Sequence, residues 1–207
     1  MKKNKISKNW LINQKKDKYF RQSKSLGYRS RSAFKLLEME KKFKFMNESM
    51  LLLDLGSSPG GWSQIAAKKI KYGKILSVDL KPMEKINNTS FLMIDINKPD
   101  AYERIFSHFG KKIDVVISDM AANTTGNKDL DSYRTGELCL KAMEIAEKIL
   151  NEKGVFLSKL FMGSIFPEIQ KKANNSFRKV VQYKPLSSRK ISREIYIYCK
   201  GISNSFN

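Results

Sequence analysis

The chain has 207 residues, of which 41% are hydrophobic and 29% charged, with a formal net charge of +20. That length supports one domain with a full core, no linker-like composition divides it, and the charge implies a polyanionic partner such as RNA or DNA. Residues 1–16 lack the apolar core of a secretory signal, and no stretch approaches the roughly 18 apolar residues of a membrane span. With a single histidine and two isolated cysteines the composition also argues against a zinc cluster or a Ser/His/Asp triad, so a soluble, cytoplasmic, metal-free protein is expected.

Met1 to Phe45 carries 15 Lys/Arg against 3 Asp/Glu, +12 of the total charge. Residues 1–30 therefore read as a basic extension able to track phosphates. The total is discounted somewhat, because abundant Asn and Ile are expected from an A+T-rich coding sequence that also inflates Lys. Trp10, Tyr19, Phe20, Tyr28 and Phe34 interleave with the charges, and burial is favoured over base stacking for them. Arg31 to Lys44 has the spacing of an amphipathic helix, with Ser30 or Ser32 as its cap. Strands are predicted at Met50 to Asp54, Lys74 to Asp79, Ser90 to Ile94, Ile113 to Ser118, Val155 to Leu160, Lys179 to Tyr183 and Ile195 to Cys199. Helices are predicted at Trp62 to Ile70, Ala101 to Phe109, Asp131 to Leu150 and Ile165 to Asn175. This alternation implies an α/β fold, a mostly parallel seven-stranded sheet with helices on both faces and ligands at the carboxyl ends of the strands. Only a loop, Lys184 to Glu194, joins the last two strands, so they should pair antiparallel.

Between the first strand and its helix lies Asp54 to Trp62, DLGSSPGGW. Glycine permits a sharp turn and close approach of a ligand, and the helix that follows offers unpaired N–H groups. The spacing is not the G-x-G-x-x-G of pyrophosphate-binding dehydrogenases, and Pro59 interrupts the turn, which disfavours an NAD-dependent oxidoreductase. Carboxylates recur at strand ends: Asp54, Asp79, Asp95 and Asp119. On one rim of a parallel sheet they disfavour a phosphate-rich cofactor and suit a cationic one. S-adenosylmethionine carries a sulfonium and no phosphate, so the pattern points to methyl transfer, with Asp79 placed to accept from a ribose.

Several segments, in order and spacing, resemble the FtsJ/RrmJ family of ribose 2'-O-methyltransferases: Arg29 to Leu36 (RSRSAFKL), Asp54 to Gln64 (DLGSSPGGWSQ), Ser77 to Met83 (SVDLKPM), Ser118 to Asn123 (SDMAAN), Ser158 to Phe161 (SKLF) and Ser187 to Ile197 (SSRKISREIYI). The resemblance runs from about Trp10 to Gly201 and implies a Rossmann-like S-adenosylmethionine-dependent methyltransferase domain over 31–201, followed by a polar tail over 202–207. It assigns a catalytic Lys-Asp-Lys-Glu tetrad to Lys35, Asp119, Lys159 and Glu194, and cofactor contacts to Gly60, Trp62, Asp79, Asp95 and Asp119. Trp10-Leu11, Asp17-Lys18-Tyr19, Met120 and Asn123 look like the bacterial-type and mitochondrial large-subunit rRNA enzymes. A uridine ribose in large-subunit rRNA, free or in the subunit, is thus the expected substrate, and a monomer the expected state. Modification of tRNA or an mRNA cap, and a non-catalytic RNA-binding module, remain as alternatives. The chain departs from the family at Ala122, usually proline, and at Ser57 and Ser58, usually small apolar residues; a less rigid loop after Asp119 is expected.

A ribose hydroxyl is a poor acid, so its attack on a methyl group needs an aligned proton acceptor. Lys159 is the candidate. Ordinary lysine is protonated at neutral pH, and Lys35 is expected to push against that charge while Asp119 and Glu194 favour it and fix the side chain.

Overall fold

The computed structural model describes residues 17–203, so Trp10, Leu11, the rest of residues 1–16 and residues 204–207 of the tail lie outside the described residues. Asp17 caps the first helix of the described residues, α1 (Lys18–Ser25), by accepting from the N–H groups of Tyr19 at 3.0 Å and Phe20 at 3.2 Å. Tyr19 and Tyr28 both pack on Phe34, with ring centroids at 5.4 and 5.7 Å. These aromatics contact one another and are half-buried rather than buried, and Tyr28 packs against the core.

In α2 (Ala33–Phe43) the helical spacing buries Ala33, Leu36 and Met39, and the helix stops at Lys44 in the left-handed region. Neither expected serine caps it conventionally: Ser32 makes no side-chain cap bond, and its hydroxyl lies 2.7 Å from that of Ser30. The chain continues as β1 (Leu51–Leu55), α3 (Gly61–Lys69), β2 (Lys74–Asp79), β3 (Ser90–Met93), α4 (Ala101–Phe109) and β4 (Ile113–Ser118). It ends with α5 (Lys128–Ile149), β5 (Leu150–Phe161), α6 (Phe166–Ser176), β6 (Phe177–Tyr183) and β7 (Glu194–Ile202).

The seven strands form one sheet in the order β3-β2-β1-β4-β5-β7-β6. The first five pair in parallel, and β7 runs antiparallel between β5 and β6. Helix α5 begins before the predicted Asp131 because Asn127 caps it, accepting from Asp129 N–H at 3.0 Å and Leu130 N–H at 3.2 Å. Strand β5 likewise begins before the predicted Val155, since Leu150 already pairs with Ile113.

Period-two alternation sends neighbouring residues to opposite faces. Leu53, Val116 and Phe156 join the core under α4, α5 and α6, whereas Leu52, Val115, Ile117 and Leu157 pack under α2 and α3 with Trp62 and Tyr196. The strand order reverses between β1 and β4, and the crevice at that switch point is where such sheets take ligands.

Candidate active site

The turn after β1 enters α3 through Gly60, whose φ of 111° is left-handed. The left-handed conformation selects glycine, and a Cβ there would lie 2.8 Å from the Arg29 guanidinium and 2.9 Å from Ile86, so those side-chain ends would have to shift. That guanidinium donates to the carbonyls of Pro59 at 3.2 Å, Glu84 at 2.7 Å and Lys85 at 3.0 Å, strapping the glycine turn to the loop after β2. Asp79 makes a second tie, with its two oxygens accepting from Ser58 N–H at 2.9 Å and Lys81 N–H at 2.8 Å.

Beside this turn opens a cavity of about 990 Å³, bordered by Gly56, Asp79, Asp95, Asp119 and Met120. Its lining has six Asp/Glu to three Lys/Arg, in a chain with 20 acidic and 40 basic residues. The cavity thus reverses the charge balance of the molecule.

Of the residues expected to contact a cofactor, Asp79, Asp95 and Asp119 line the cavity, and Gly60 forms the turn beside it. The Trp62 side chain goes elsewhere: it is 2% exposed, its indole donates to Ser32 O at 2.9 Å, and its ring packs 5.8 Å from that of Tyr196. Its backbone N–H, in the first turn of α3, belongs to the donors that lack intrahelical acceptors. Asp54 corrects the picture of four carboxylates on one rim. It is fully buried and accepts from Ser63 Oγ at 2.6 Å, with Oδ1 unpartnered and burial pushing its carboxyl up to about 7.

The four tetrad positions, spread from residue 35 to 194, converge as two ion pairs. Lys35 in α2 meets Glu194 at the start of β7 at 2.7 Å. Lys159 in β5 meets Asp119, just beyond β4, donating to Oδ1 at 3.1 Å and to the backbone carbonyl as well. All four side chains are largely enclosed, none more than 17% exposed. Lys35 is therefore no solvated helix lysine, and Glu194 pairs with neither neighbouring arginine: Arg189 faces Asp17 at 3.5 Å and Arg193 faces Asp129 at 3.1 Å. Each ammonium has its own counter-ion, which offsets the mutual push expected between the lysines.

A fifth residue, which the sequence reading left without a role, joins the tetrad. Tyr196 is fully buried, donates from its hydroxyl to Asp119 Oδ1 at 2.8 Å, and places its ring 5.9 Å from the Lys35 ammonium. Its position beside Ile197 in the SREIYI segment, two residues from Glu194 along one face of β7, was the available signal. Burial raises its hydroxyl well above the ordinary tyrosine range, with Asp119 and Glu194 adding to this, so it stays a donor. Burial would also raise Asp119, yet Lys159, Lys35 and the tyrosine hydrogen bond outweigh it and hold that carboxyl below its usual range.

Two further carboxylates brace the surroundings. Asp131 accepts from Thr125 N–H at 2.7 Å, Thr125 Oγ1 at 2.8 Å and Gly126 N–H at 3.3 Å, which anchors the loop after Asp119 despite Ala122. Glu38 accepts from Leu186 N–H at 2.6 Å, Ser187 N–H at 3.0 Å and Ser187 Oγ at 2.6 Å, pinning the β6–β7 loop to α2. Among the described residues no cluster of His, Cys, Asp or Glu is arranged to hold a metal ion, and no helix is long and apolar enough to cross a membrane.

The chain and its fold have relatives among known proteins. The chain is 48% identical over 200 residues to the ribosomal RNA large subunit methyltransferase E of Pelagibacter ubique, covering 97% of this chain and 98% of that one. It is 43% identical over 197 residues to the enzyme of that name from Rickettsia felis, covering 92% and 87% of the two chains. A crystal structure of a ribosomal RNA methyltransferase from Plasmodium falciparum superposes with a TM-score of 0.76 at 32% identity, covering 84% of this chain and 98% of that one. Residues 28–202 match the family described as FtsJ-like methyltransferase. With its sheet order, its glycine turn and its matched length all in agreement, the chain belongs to the FtsJ-like methyltransferase family.

Proposed function

We propose that this protein transfers a methyl group from S-adenosylmethionine to a ribose 2'-hydroxyl, of a uridine, in large-subunit rRNA. The observation that carries the reading is the convergence of Lys35, Asp119, Lys159 and Glu194 into two enclosed ion pairs beside the acidic cavity.

The residues present fit the cofactor. An excess of carboxylates suits a sulfonium cation and repels phosphates, and the Gly56–Gly60 turn lets a ligand lie against backbone. Asp79, Asp95 and Asp119, with backbone groups of Gly60 and Trp62, are the groups to hold it. S-adenosylmethionine supplies an activated methyl group when bound.

The protein's part is positioning and proton handling. Lys159 directs two N–H groups onto Asp119, which fixes its nitrogen and leaves one direction for the ribose hydroxyl; as base, the ammonium first gives its third proton to solvent, and that direction then carries the lone pair that takes the hydroxyl proton. Lys35, held on Glu194 and near Asp119, is the second cation of the site and would balance the charge that develops on the oxygen as its proton leaves. Holding oxygen, carbon and sulfur in line is worth up to roughly 7–11 kcal/mol in favourable cases. The net charge of +20 suits a polyanionic RNA of any kind, and the likeness to the rRNA enzymes favours ribosomal RNA over tRNA or a cap.

The test is incubation with methyl-labelled S-adenosylmethionine and large ribosomal subunits, free rRNA or tRNA, followed by mapping of the methylated ribose. Label on a large-subunit uridine ribose is expected. Label confined to tRNA would reassign the substrate, and bound cofactor without transfer to any RNA would make the protein a binding module.

A further inference from the structure

The two most exposed large apolar side chains among the described residues belong to one short loop. Ile191 is 94% and Leu186 85% exposed, both between β6 and β7. Scattered apolar residues on a surface need no explanation. Here the pair falls within six residues of each other, in a ten-residue loop, 184–193, that also holds Lys184, Arg189, Lys190 and Arg193 and no acidic residue.

The loop is also pinned, so the exposure does not come from slack chain. Glu38 accepts from the N–H groups of Leu186 and Ser187, and Arg31 donates to Ser187 O. Ser188 N–H bonds Pro185 O at 3.0 Å, Ser192 N–H bonds Arg189 O at 3.0 Å, and the Lys184 ammonium bonds Ser192 O at 2.7 Å. These bonds hold the backbone in two successive turns with Leu186 and Ile191 pointing outward. The loop runs straight into the tetrad: Ser188 Oγ donates to Glu194 Oε1 at 2.8 Å, and Ile191 precedes Glu194 by three residues, at most about 11 Å of chain.

We infer that Leu186 and Ile191 are an apolar wedge that packs against, and unstacks, the bases flanking the reacting nucleotide, while the exposed Lys190 beside Ile191 holds an adjoining phosphate. This rests on the RNA reading of the site and deepens it. Branched aliphatic side chains inserted at base steps are a recurrent way of prying open a stack, and a rigid mount is what lets a wedge do so. Bases are the occupant because the loop bonds directly to Glu194 through Ser188, so whatever packs on Leu186 and Ile191 lies beside the ribose that the tetrad faces.

The experiment compares wild type with Leu186→Ser/Ile191→Ser and Leu186→Phe/Ile191→Phe, all of unchanged charge. Readouts are methyl transfer to unmethylated large subunits and to deproteinised rRNA, calorimetric affinity for S-adenosylmethionine, and the salt slope of RNA binding. The serine pair is expected to lose about tenfold or more in transfer to both RNAs, with cofactor affinity and salt slope unchanged, and the phenylalanine pair to regain most of it. Equal transfer by the serine pair overturns the wedge. So does a loss that phenylalanine leaves unrepaired, and a loss confined to intact subunits, which would assign the pair to a ribosomal protein. If wild type methylates no RNA, the enzymatic reading fails separately; the wedge then stands or falls on whether rRNA fragments carrying 2-aminopurine brighten on binding wild type and not the serine pair.

Discussion

The Tyr196 hydroxyl donates to the same Asp119 oxygen that receives the Lys159 ammonium, at 2.8 and 3.1 Å. One carboxylate oxygen thereby sets the position of a lysine and is itself set by a buried ring from β7. Tyr196→Phe keeps the ring and deletes the bond, so the expected outcome is a loss of about 1 kcal/mol of stability and a roughly tenfold lower kcat with KM for RNA unchanged. Single-turnover methyl transfer and urea unfolding read the two effects; wild-type kcat would deny the hydroxyl a positioning role.

Lys159→Ala is expected to abolish methyl transfer while S-adenosylmethionine still binds near normally. The variant also strands the enclosed Asp119 carboxylate, for which a cost of about 3 kcal/mol is expected. Turnover near wild type would remove Lys159 from the reaction. Adding Asp119→Asn should return part of the stability without returning activity.

Gly60→Ala places a Cβ against the Arg29 guanidinium at a backbone angle that side chains seldom adopt. A loss of at least about 1 kcal/mol in stability and a clear weakening of cofactor binding are expected, since the strap across the turn must shift. Calorimetric titration checks the second effect, and an unaltered dissociation constant would detach the turn from the cofactor.

Asp79→Ala should likewise weaken cofactor binding, by two routes: loss of an acceptor in the cavity and release of the Ser58 and Lys81 N–H groups. Asp79→Asn retains one acceptor oxygen and should fall between wild type and alanine. Equal affinity across all three would count against any contact with the cofactor.

Asp54 gives a pH signature. Its carboxyl sits at about 7 in the fold, against an ordinary value of roughly 3.9, so between those pH values the folded chain holds a proton that the unfolded chain releases. Stability from this group therefore falls as pH rises from about 4 to about 7 and is level above. From pH 5 to 8 wild type should lose on the order of 2–3 kcal/mol more than Asp54→Asn in urea unfolding. Parallel behaviour of the two proteins would show that Asp54 ionises freely.

Much of this architecture was legible because its signals are local. The apolar runs that became β1, β2 and β4 are short and bounded by turn residues, and DLGSSPGGW marks its own strand-to-helix turn. The tetrad was legible only through family resemblance, since nothing near Lys35 announces Glu194, 159 residues away. The same distance hid the Arg29 strap and the Glu38 clamp, whose partners lie 55 and 148 residues off. At Trp62 the motif marks where the backbone goes, while the indole follows the packing beneath α2. Asp54 reads like its neighbours at strand ends, and only the packing of Ser63 over it separates a buried carboxyl from an open one.

The closure of the first long helix on the last strand, through Lys35 and Glu194, bears on when the protein becomes competent. A nascent chain has every glycine of its ligand turn after some sixty residues, yet its reaction centre lacks one wall until β7 has been translated and has threaded between β5 and β6. A chain that stops before the closing strand lacks both Glu194 and Tyr196, so on the proposed mechanism it is expected to be inert.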